Sequence, residues 1–496
     1  MWFEQVLTRG NQRTPNQICL RDLRRDVTWE QLNREARALA SVLRSSSRRA
    51  DRVLLLSGSR VEVITAHFAC ALAGGIAMPV NSALADSELS YILDAMSPAV
   101  AVADARGRAR LSALGSSLAT VPIETVADLA VQPEVASSAG GVTDPVAIFH
   151  TSATTGRPKG VTVDQRYFQF QSLSWAAEFR AAPGSVFLNA ASLFHGSVMF
   201  AFNCLAALGV VGILDSFTPR AFINAVRRWG VESTALVPAM ITLLLQDREF
   251  ASLKGGTLRS VISAGAPLPE HLPRQMHDAL GVFPHTIFGI TEAGHVLHRW
   301  PEDDRTHAGH DGGVCVGRPF PGYSVRVVRD DAKRAAAVVD EVGMIQVACD
   351  GLMQGYWRNG EATAETVKDG WLTTGDLGFQ DNDGFIWVVD RRLDMIVRGG
   401  QNVYPAEIER VLRKSPQVRQ VAVVAAPSDV WGQTPVAFIE GNAQGLDTSE
   451  LLTLCATELA SYKRPSGFIV VDQLPRNAIG KVLRTELRDR AASTRS

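Results

Sequence analysis

The chain has 496 residues, a hydrophobic content of 46%, a charged content of 20% and a formal net charge of −1. This length exceeds what one hydrophobic core supports, so we expect two or more domains, and the composition excludes a disordered chain. The balanced charge excludes non-specific binding to nucleic acid or to an anionic membrane surface.

The six cysteines are scattered, and no Cys-x-x-Cys pair occurs. This pattern is typical of a reduced protein and predicts neither a disulfide framework nor a zinc site. The N-terminus lacks the basic and apolar regions of a secretory signal, and no apolar run reaches the ~18 residues of a membrane span. We therefore expect a cytoplasmic protein that binds neither nucleic acid nor membrane, as a monomer or a homodimer.

Strand-like and helix-like segments alternate over the first 300 residues, which predicts an α/β fold built of βαβ units. The predicted strands are 52–57, 76–80, 100–103, 146–149, 161–163, 186–190, 210–214, 236–237 and 258–263. The predicted helices are 61–72, 165–177, 198–208, 220–229, 238–246 and 269–280. Two short tracts, 45–49 and 136–141, have the composition of exposed loops.

The chain becomes rich in predicted strands from Gly317 onward. These strands are 324–329, 341–348 and 385–389. A basic, glycine-containing stretch at 391–400 then separates this block from a last unit of about a hundred residues, the size of a small domain. That unit combines helices at 405–414 and 449–459 with strands at 418–425 and 436–439, which predicts a small α+β domain.

The segment from Phe149 to Gly160 reads Phe-His-Thr-Ser-Ala-Thr-Thr-Gly-Arg-Pro-Lys-Gly and follows a predicted buried strand. Its backbone N–H groups, hydroxyls and one ammonium can bind a polyanion, of which a nucleotide triphosphate is the obvious example. It is not a Walker loop, because Lys159 precedes a glycine and another strand rather than Ser or Thr and a helix. An ordinary surface hairpin is the alternative.

Four charged residues elsewhere are further candidates for binding a nucleotide. Glu292 lies in a glycine-flanked turn after a predicted strand, where one carboxylate suits magnesium beside a triphosphate. Asp376 lies in a second turn and can accept the hydroxyls of a ribose, for which Arg391 is a candidate donor. Lys481 follows a glycine near the C-terminus. Each of the four, taken alone, is more often an ordinary surface residue.

Taken together and in order, these windows resemble the superfamily of adenylate-forming enzymes. This superfamily contains acyl- and aryl-CoA synthetases, the adenylation domains of non-ribosomal peptide synthetases, and beetle luciferases. The resemblance covers nearly the whole chain and is closest to the stand-alone aryl- and acyl-CoA ligases. Besides the loop at 151–160, it rests on the windows 194–196, 263–268, 289–292, 370–376, 390–391, 394–396, 399–400, 403–409 and 475–484.

The resemblance implies a domain division and a reaction in two halves. Residues 1–390 would form a large ATP- and acid-binding domain of βαβ-built sheets with a β-rich subdomain, 391–394 a hinge, and 395–496 a small mobile α+β lid. A carboxylate would attack the α-phosphorus of ATP and displace pyrophosphate, and a thiol would then take the acyl group from AMP. Such chemistry needs cations and oriented dipoles rather than a covalent protein nucleophile.

The resemblance also implies cofactors and residue roles. ATP, Mg²⁺ and coenzyme A, or the phosphopantetheine of a carrier protein, are the expected cofactors. Lys481 would bridge the carboxylate and the α-phosphate, Thr291 would contact the α-phosphate, and Glu292 would bind magnesium. The other expected cofactor contacts are Thr151, Ser152, Thr154, Thr155, Gly156 and Lys159 for the phosphates, Gly289, Asp376 and Arg391 for the nucleotide, and Gly399 and Gly400 for the pantetheine arm.

The expected acid pocket is mostly apolar or small. It comprises His195, Met240, Ser263, Ala264, Gly265 and Phe288. His195 stands where amino-acid-activating relatives carry an aspartate, and an unpaired ammonium buried there would cost several kcal/mol. We therefore expect an aryl or medium-sized aliphatic acid rather than an α-amino acid. His195 is either a wall of this pocket or a contact of the carboxylate.

Two positions depart from the family pattern: Ala153 replaces a glycine of the phosphate loop, and Leu393 replaces the usual hinge aspartate or lysine. The second departure leaves the efficiency of domain rotation open. Three alternatives therefore stand beside a CoA ligase. They are an enzyme that transfers the acyl group to a separate carrier protein, an acyl- or adenylate-binding protein with weak catalysis, and a luciferase-like oxygenase.

Overall fold

The computed structural model describes residues 2–129, 141–151, 158–179, 181–194, 196–269, 271–303, 313–329, 335–399, 401–428, 430–441, 446–476 and 482–493. Within these ranges, no helix has both the length and the apolar character that crossing a membrane requires.

Helices and strands alternate in the first 300 residues. Up to residue 129 the elements are α1 (Trp2–Arg13), β1 (Ile18–Arg21), β2 (Asp26–Thr28), α2 (Trp29–Ser46), β3 (Arg52–Leu56), α3 (Val61–Ala73), β4 (Ile76–Pro79), α4 (Asp86–Met96), β5 (Val100–Ala103), α5 (Ala105–Ala113) and β6 (Ala119–Pro122). They are followed by β7 (Pro145–Thr151), β8 (Lys159–Asp164), α6 (Gln165–Glu178), β9 (Val186–Asn189), α7 (Ser197–Ala206), β10 (Val210–Ile213), α8 (Pro219–Trp229), β11 (Ser233–Leu236), α9 (Pro238–Gln246), β12 (Ser260–Ala264), α10 (His271–Leu280), β13 (His285–Ile290) and β14 (Gly294–Arg299).

The remaining described chain is richer in strands. Its elements are β15 (Val314–Pro319), β16 (Ser324–Val328), β17 (Gly343–Ala348), β18 (Gly355–Tyr356), α11 (Gly360–Thr366), β19 (Val367–Lys368), β20 (Trp371–Gln380), β21 (Ile386–Arg391), β22 (Ile396–Arg398), β23 (Gln401–Val403), α12 (Pro405–Leu412), β24 (Gln420–Ser428), β25 (Gly432–Glu440), α13 (Thr448–Glu458), β26 (Gly467–Val471) and α14 (Arg484–Ser493).

These strands form three sheets. The first has 14 described strands in the order β16-β17-β20-β21-β15-β14-β13-β12-β11-β9-β10-β1-β2, with β19 beside β20. The second has the order β18-β8-β7-β4-β3-β5-β6, and the third β23-β22-β25-β24 with β26 beside β25. Strands β9, β11, β12 and β13 run parallel, so their carboxyl ends meet at one edge of the first sheet. Such an edge is where open α/β sheets bind ligands.

Apolar side chains cover both faces of the first sheet. Along β9, Phe187 belongs to the larger core and Leu188 to a separate cluster beneath α8, α9 and α10. Local signals set the ends of helix α8. The Thr218 side chain caps its first turn by accepting a hydrogen bond from the Ala221 N–H. Gly230 ends the helix in the left-handed conformation.

The α/β class and the small C-terminal α+β unit expected from the sequence are confirmed. Most predicted elements are present with ends shifted by one to three residues, and the predicted helix at 238–246 matches α9. Two antiparallel hairpins, β7–β8 and β13–β14, interrupt the alternation that indicated βαβ units. Helices α1, α2, α4 and α5 were not predicted from the sequence. The tract 45–49, predicted to be a loop, overlaps the end of α2 at residues 45–46.

The N-terminal helix is tightly packed on α2 through a glycine. A Cβ atom placed on Gly10 would lie 2.2 Å from the Trp29 ring, which is fully buried. A contact this short demands movement of the ring or of the helix. The close approach of α1 to α2 therefore depends on a glycine at this position.

We expect Gly10→Ala to lower the melting temperature. Alanine normally stabilises a helix interior by about 1 kcal/mol relative to glycine. Overpacking against Trp29 should cost about 1–3 kcal/mol and outweigh that gain. Thermal unfolding measures the shift, with Gly360→Ala as the matched control because, apart from its own helix and chain neighbours, no described residue has an atom within 4 Å of a Cβ there. Equal stabilisation of both variants would contradict the packing argument.

Candidate active site

The predicted phosphate loop is the connection of the β7–β8 hairpin. Thr151 and Lys159 are opposite each other at the end of the ladder next to the loop, and the Thr151 hydroxyl donates to the Lys159 carbonyl at 3.5 Å. Lys159 is the first residue of β8, so its position is set by strand pairing rather than by the loop. The loop residues Ser152, Ala153, Thr154, Thr155 and Gly156 lie outside the described residues.

The predicted magnesium turn, residues 291–293, connects β13 to β14, and hydrogen bonds hold its backbone. The Tyr167 hydroxyl on α6 donates to the Thr291 carbonyl at 3.1 Å, and the Met353 N–H donates to the Glu292 carbonyl at 2.8 Å. Burial, and next the charge of Glu292, raise the pKa of Tyr167, so the phenol stays a neutral donor. The position of Glu292 therefore depends on two distant segments of the chain.

The last carbonyl of the turn, that of Ala293, has two donors. The Gln171 amide donates to it at 2.9 Å and the Tyr323 hydroxyl at 2.6 Å. The Gln171 side-chain oxygen also accepts from the His295 N–H at 3.0 Å. Gly294 must lack a side chain, because a Cβ there would lie 2.2 Å from the Gln171 amide nitrogen. All three carbonyls of the turn are therefore satisfied.

Tyr356 joins the β7–β8 hairpin, called the phosphate hairpin below, to the magnesium turn at 291–293. Its hydroxyl donates to Glu292 Oε1 at 2.8 Å, and Lys159 Nζ lies 4.8 Å from the centre of its ring. The fold thus brings Lys159 and Glu292 to the same tyrosine, although 133 positions separate them in the sequence. The sequence did not indicate Tyr356, Tyr167, Gln171 or Tyr323, because no local pattern marks a residue that contacts a turn 30 to 124 positions away.

Asp376 and Arg391 form an ion pair across the β20–β21 ladder. They are directly opposite each other, with Arg391 Nε 3.0 Å from Asp376 Oδ1. The aspartate side chain is 4% exposed and the arginine side chain 41%. Gly375 has a positive φ of 80°, which lets the backbone bend immediately before the carboxylate. The structure thus brings together the two residues expected to contact the ribose.

The described acid-pocket candidates lie in or near the ends of β12 and β13 and in helix α9, and they are not on one face of the sheet. Ala264 and Phe288 pack against the larger core, whereas Met240 packs against the cluster beneath α8 to α10. Ser263 is fully buried, and alternation along β12 directs it to the same face as Met240. Gly265, with φ of 83°, follows the end of β12. Ala264 and Phe288 are therefore the pair on the α7 side of the sheet.

Two candidate glycines have packing reasons for lacking a side chain. A Cβ on Gly289 would lie 2.4 Å from the Gly294 carbonyl oxygen across the hairpin. One on Gly399 would lie 2.8 Å from the Trp431 ring, and Gly399 also has a positive φ of 56°. Neither glycine therefore requires a bound ligand to explain it. His195, Gly400 and Lys481 lie outside the described residues.

Charged residues join the predicted hinge to the C-terminal unit. Asp390 accepts a hydrogen bond from the Ala406 N–H at the start of α12, and burial raises the pKa of this carboxyl to about 6. Arg484, on α14, lies 2.7 Å from Glu409 and 3.6 Å from Asp394. The hinge region is thus held by a hydrogen bond to α12 and by ion pairs to α14 in this arrangement.

Leu393 is 58% exposed, and it contacts the C-terminal unit through its backbone carbonyl. Its carbonyl accepts a hydrogen bond from Arg488 at 3.0 Å, and Arg488 also pairs with Asp394. The leucine side chain itself makes no hydrogen bond, so the described contacts do not depend on which residue occupies this position.

Comparison with known proteins identifies the family. The sequence-family model described as AMP-binding enzyme matches residues 7–357. The family model described as AMP-binding enzyme C-terminal domain matches residues 407–481. The chain belongs to the AMP-binding enzyme family. It is 32% identical to the fatty acid–[acyl-carrier-protein] ligase ScoC of Streptomyces coeruleorubidus, over 94% of this chain and 92% of that protein. It is 31% identical to the indoleacetate–CoA ligase of Aromatoleum aromaticum, over 96% of each.

Solved structures agree with this assignment. ATP-bound MatB from Rhodopseudomonas palustris has a TM-score of 0.90 and 27% identity, covering 100% of both chains. o-Succinylbenzoate CoA synthetase (MenE) from Bacillus subtilis, in complex with ATP and magnesium, has a TM-score of 0.88 and 27% identity, covering 98% of this chain and 99% of that one. The protein is an AMP-forming acid–thiol ligase. The MenE structure contains ATP and Mg²⁺, which are the cofactors expected for the adenylation half of such a reaction.

The described donor set fits these cofactors. A carboxylate oxygen, here that of Glu292, is the ligand type that Mg²⁺ prefers. The Lys159 ammonium matches a phosphate, and a buried carboxylate such as that of Asp376 matches a pair of ribose hydroxyls.

We expect Asp376→Asn to weaken ATP binding by roughly 10–100-fold, because a hydrogen bond to a charged group contributes roughly 1.5–3 kcal/mol. Isothermal titration with ATP measures this loss. Thermal unfolding should change little, since asparagine keeps an acceptor oxygen for Arg391, whose side chain is 41% exposed to solvent.

Glu361→Gln is the control for Asp376→Asn, because it removes one negative charge from an exposed position of α11. Its affinity for ATP should equal that of the parent protein. Unchanged affinity in Asp376→Asn would remove this residue from the nucleotide site.

Proposed function

We propose that the protein activates an aryl or medium-sized aliphatic carboxylic acid as its acyl-adenylate and transfers the acyl group to coenzyme A. The observation that carries the residue assignment is the convergence of Lys159 and Glu292 on Tyr356. A cation and a metal-binding carboxylate at one point match the β- and γ-phosphates of Mg·ATP.

In the first half-reaction, Lys159 and the loop hydroxyls hold the departing pyrophosphate. Magnesium, when bound at Glu292, supplies charge neutralisation for the phosphate oxygens. Thr291 orients the α-phosphate, and Asp376 with Arg391 holds the ribose. Preorganised charges of this kind stabilise the charge that develops in the transition state without forming a covalent bond. The loop residues in this proposal are Thr151, Ser152, Thr154, Thr155 and Gly156.

Lys481 bridges the attacking carboxylate and the α-phosphate in this half-reaction only. The C-terminal unit, 395–496, then rotates about the hinge at 391–394 against the unit 1–390. This motion withdraws Lys481 and brings the Gly399–Gly400 segment to the thiol arm. Rotation requires the pairs of Arg484 and Arg488 with Asp394 to rearrange, because they join the hinge to the lid.

The character of the described pocket supports the proposed class of acid. Ala264 and Phe288 offer small and apolar surface on the α7 side of the sheet. The relatives named above act, by their names, on indoleacetate and fatty acids, which are an aryl-substituted and an aliphatic acid. An apolar wall favours such acids by about 25 cal/mol per Å² of apolar surface buried. His195 is assigned to the same pocket.

A carrier protein is the second candidate for the acceptor. One specific observation favours it, namely the 32% identity to a relative named as an acyl-carrier-protein ligase. Coenzyme A and a carrier protein present the same phosphopantetheine thiol, so both acceptors use the same adenylate. The cytoplasmic location and the monomeric or homodimeric state stay predictions.

The acid and the acceptor can be identified in one assay. The protein is incubated with ATP, Mg²⁺ and a library of carboxylic acids, with and without coenzyme A, and pyrophosphate, AMP and acyl-CoA are followed by mass spectrometry. We expect aryl or medium aliphatic acids to give all three products. Pyrophosphate without a thioester would point to a carrier protein, and no pyrophosphate with any acid would overturn the proposal.

We expect Lys481→Ala to slow adenylation by at least about 100-fold, the typical loss of one preorganised charge contact. Transfer to coenzyme A from a supplied acyl-adenylate should stay nearly intact. Lys414→Ala is the matched control, because this exposed lysine of the same domain pairs only with Glu458 among the described residues. Equal losses in both half-reactions would contradict the role of Lys481.

A further inference from the structure

The segment 353–357 contacts both halves of the phosphate site through separate parts of its backbone. The Met353 N–H donates to the Glu292 carbonyl at 2.8 Å. Tyr356 lies opposite Val161 in the β18–β8 ladder, and the Trp357 N–H donates to the Gly160 carbonyl at 2.8 Å. The segment is therefore bonded to the hairpin immediately after Lys159 and to the turn that carries Glu292.

The Tyr356 side chain spans the remaining gap. Its hydroxyl donates to one Glu292 oxygen at 2.8 Å, and its ring lies 4.8 Å from Lys159 Nζ. The Tyr356 N–H donates to Thr363 Oγ1 at 2.9 Å, which fixes the residue to α11. A phenol hydroxyl is protonated at neutral pH, so it acts as the donor in this hydrogen bond.

A neutral donor suits a metal-binding carboxylate better than a cation does. A phenol orients one carboxylate oxygen and leaves the negative charge of the group intact, whereas an arginine or lysine would compensate that charge. The ring face attracts the Lys159 ammonium through its negative quadrupole and, unlike a carboxylate, does not neutralise it. One side chain can therefore position both charged groups while keeping both available to Mg·ATP.

We propose that Tyr356 is a positioning residue that sets the Glu292 carboxylate for Mg²⁺ and the Lys159 ammonium for the phosphates in a single geometry. The inference rests on the proposed roles of Glu292 and Lys159 and goes beyond them. In this proposal Tyr356, which is 64 positions from Glu292 in the sequence, couples metal binding to phosphate binding.

The test measures metal binding directly and needs no knowledge of the acid. Binding of Mn²⁺ to the full chain is followed by electron paramagnetic resonance, in the presence of a non-hydrolysable ATP analogue. Binding of the analogue without metal is measured separately by calorimetry. We expect Tyr356→Phe to weaken Mn²⁺ binding by roughly 10-fold or more, the usual effect of removing the hydrogen-bond partner of a metal ligand. Metal-free binding of the analogue should be unchanged, because the ring beside Lys159 remains.

Tyr356→Leu removes both contacts. It should weaken Mn²⁺ binding as Tyr356→Phe does and should also weaken metal-free binding of the analogue by about 2- to 5-fold, the size expected for a lost cation–π contact. Tyr91→Phe is the matched control, since Tyr91 is a partly buried tyrosine of α4 and takes part in none of the hydrogen bonds described above at the β7–β8 hairpin or the turn at 291–293. Its binding of metal and analogue should equal that of the parent protein.

Glu292→Gln separates failure of this inference from failure of the proposed function. Loss of Mn²⁺ binding in Glu292→Gln with parental binding in Tyr356→Phe would overturn the role of Tyr356 alone. Parental binding in Glu292→Gln would overturn the metal role of Glu292 and, with it, this inference. An equal loss in Tyr91→Phe and Tyr356→Phe would also overturn it, because the effect would then not be local.

Discussion

The site depends above all on the hydrogen bonds that hold the turn at residues 291–293. A two-strand hairpin by itself leaves the carbonyls of its connecting turn free to reorient, and a partly buried carbonyl without a donor costs free energy. Here every carbonyl of the turn has a donor from another segment. The Glu292 carboxylate therefore extends from a backbone that four donors on three separate segments keep in place.

Helix α6 supplies two of these donors from one face. Tyr167 and Gln171 are four residues apart, so their side chains lie one above the other along the helix. The same helix begins directly after β8, whose first residue is Lys159. The phosphate hairpin and the magnesium turn are thus linked twice, through α6 and through the Tyr356 segment. This redundancy suits a site that must hold a highly charged ligand without moving its own charges.

The C-terminal unit has a different physical character. It has its own core between its sheet and α12 and α13, which includes Ile396 and Leu451. Its described junction with the preceding chain combines ion pairs of Arg484 and Arg488 with Asp394 and apolar packing of Tyr404 and Met395 in the cluster that contains Trp387. The domain rotation proposed above therefore requires both the ion pairs and this apolar packing to rearrange.

The amino-acid sequence by itself determined the class of fold, the family and the identity of most candidate residues. Apolar periodicity located α9 and most central strands, because these signals are local. The ordered windows around Lys159, Glu292 and Asp376 sufficed to recognise an adenylating enzyme. The sequence did not locate the N-terminal helices α1 and α2, which approach closely where Gly10 lies against Trp29.

Only the tertiary structure decided which residues support the site. Tyr356, Tyr167 and Tyr323 act on the turn at 291–293 from 30 to 124 positions away, and no local pattern marks such contacts. The structure also explains why residue 289 is a glycine: a side chain there would collide with the opposite strand. From the sequence alone, this reason could not be distinguished from close approach of a ligand. The spacing of residues along a chain specifies local geometry. Contacts between distant segments are specified instead by how the sheets and helices pack together in the tertiary structure.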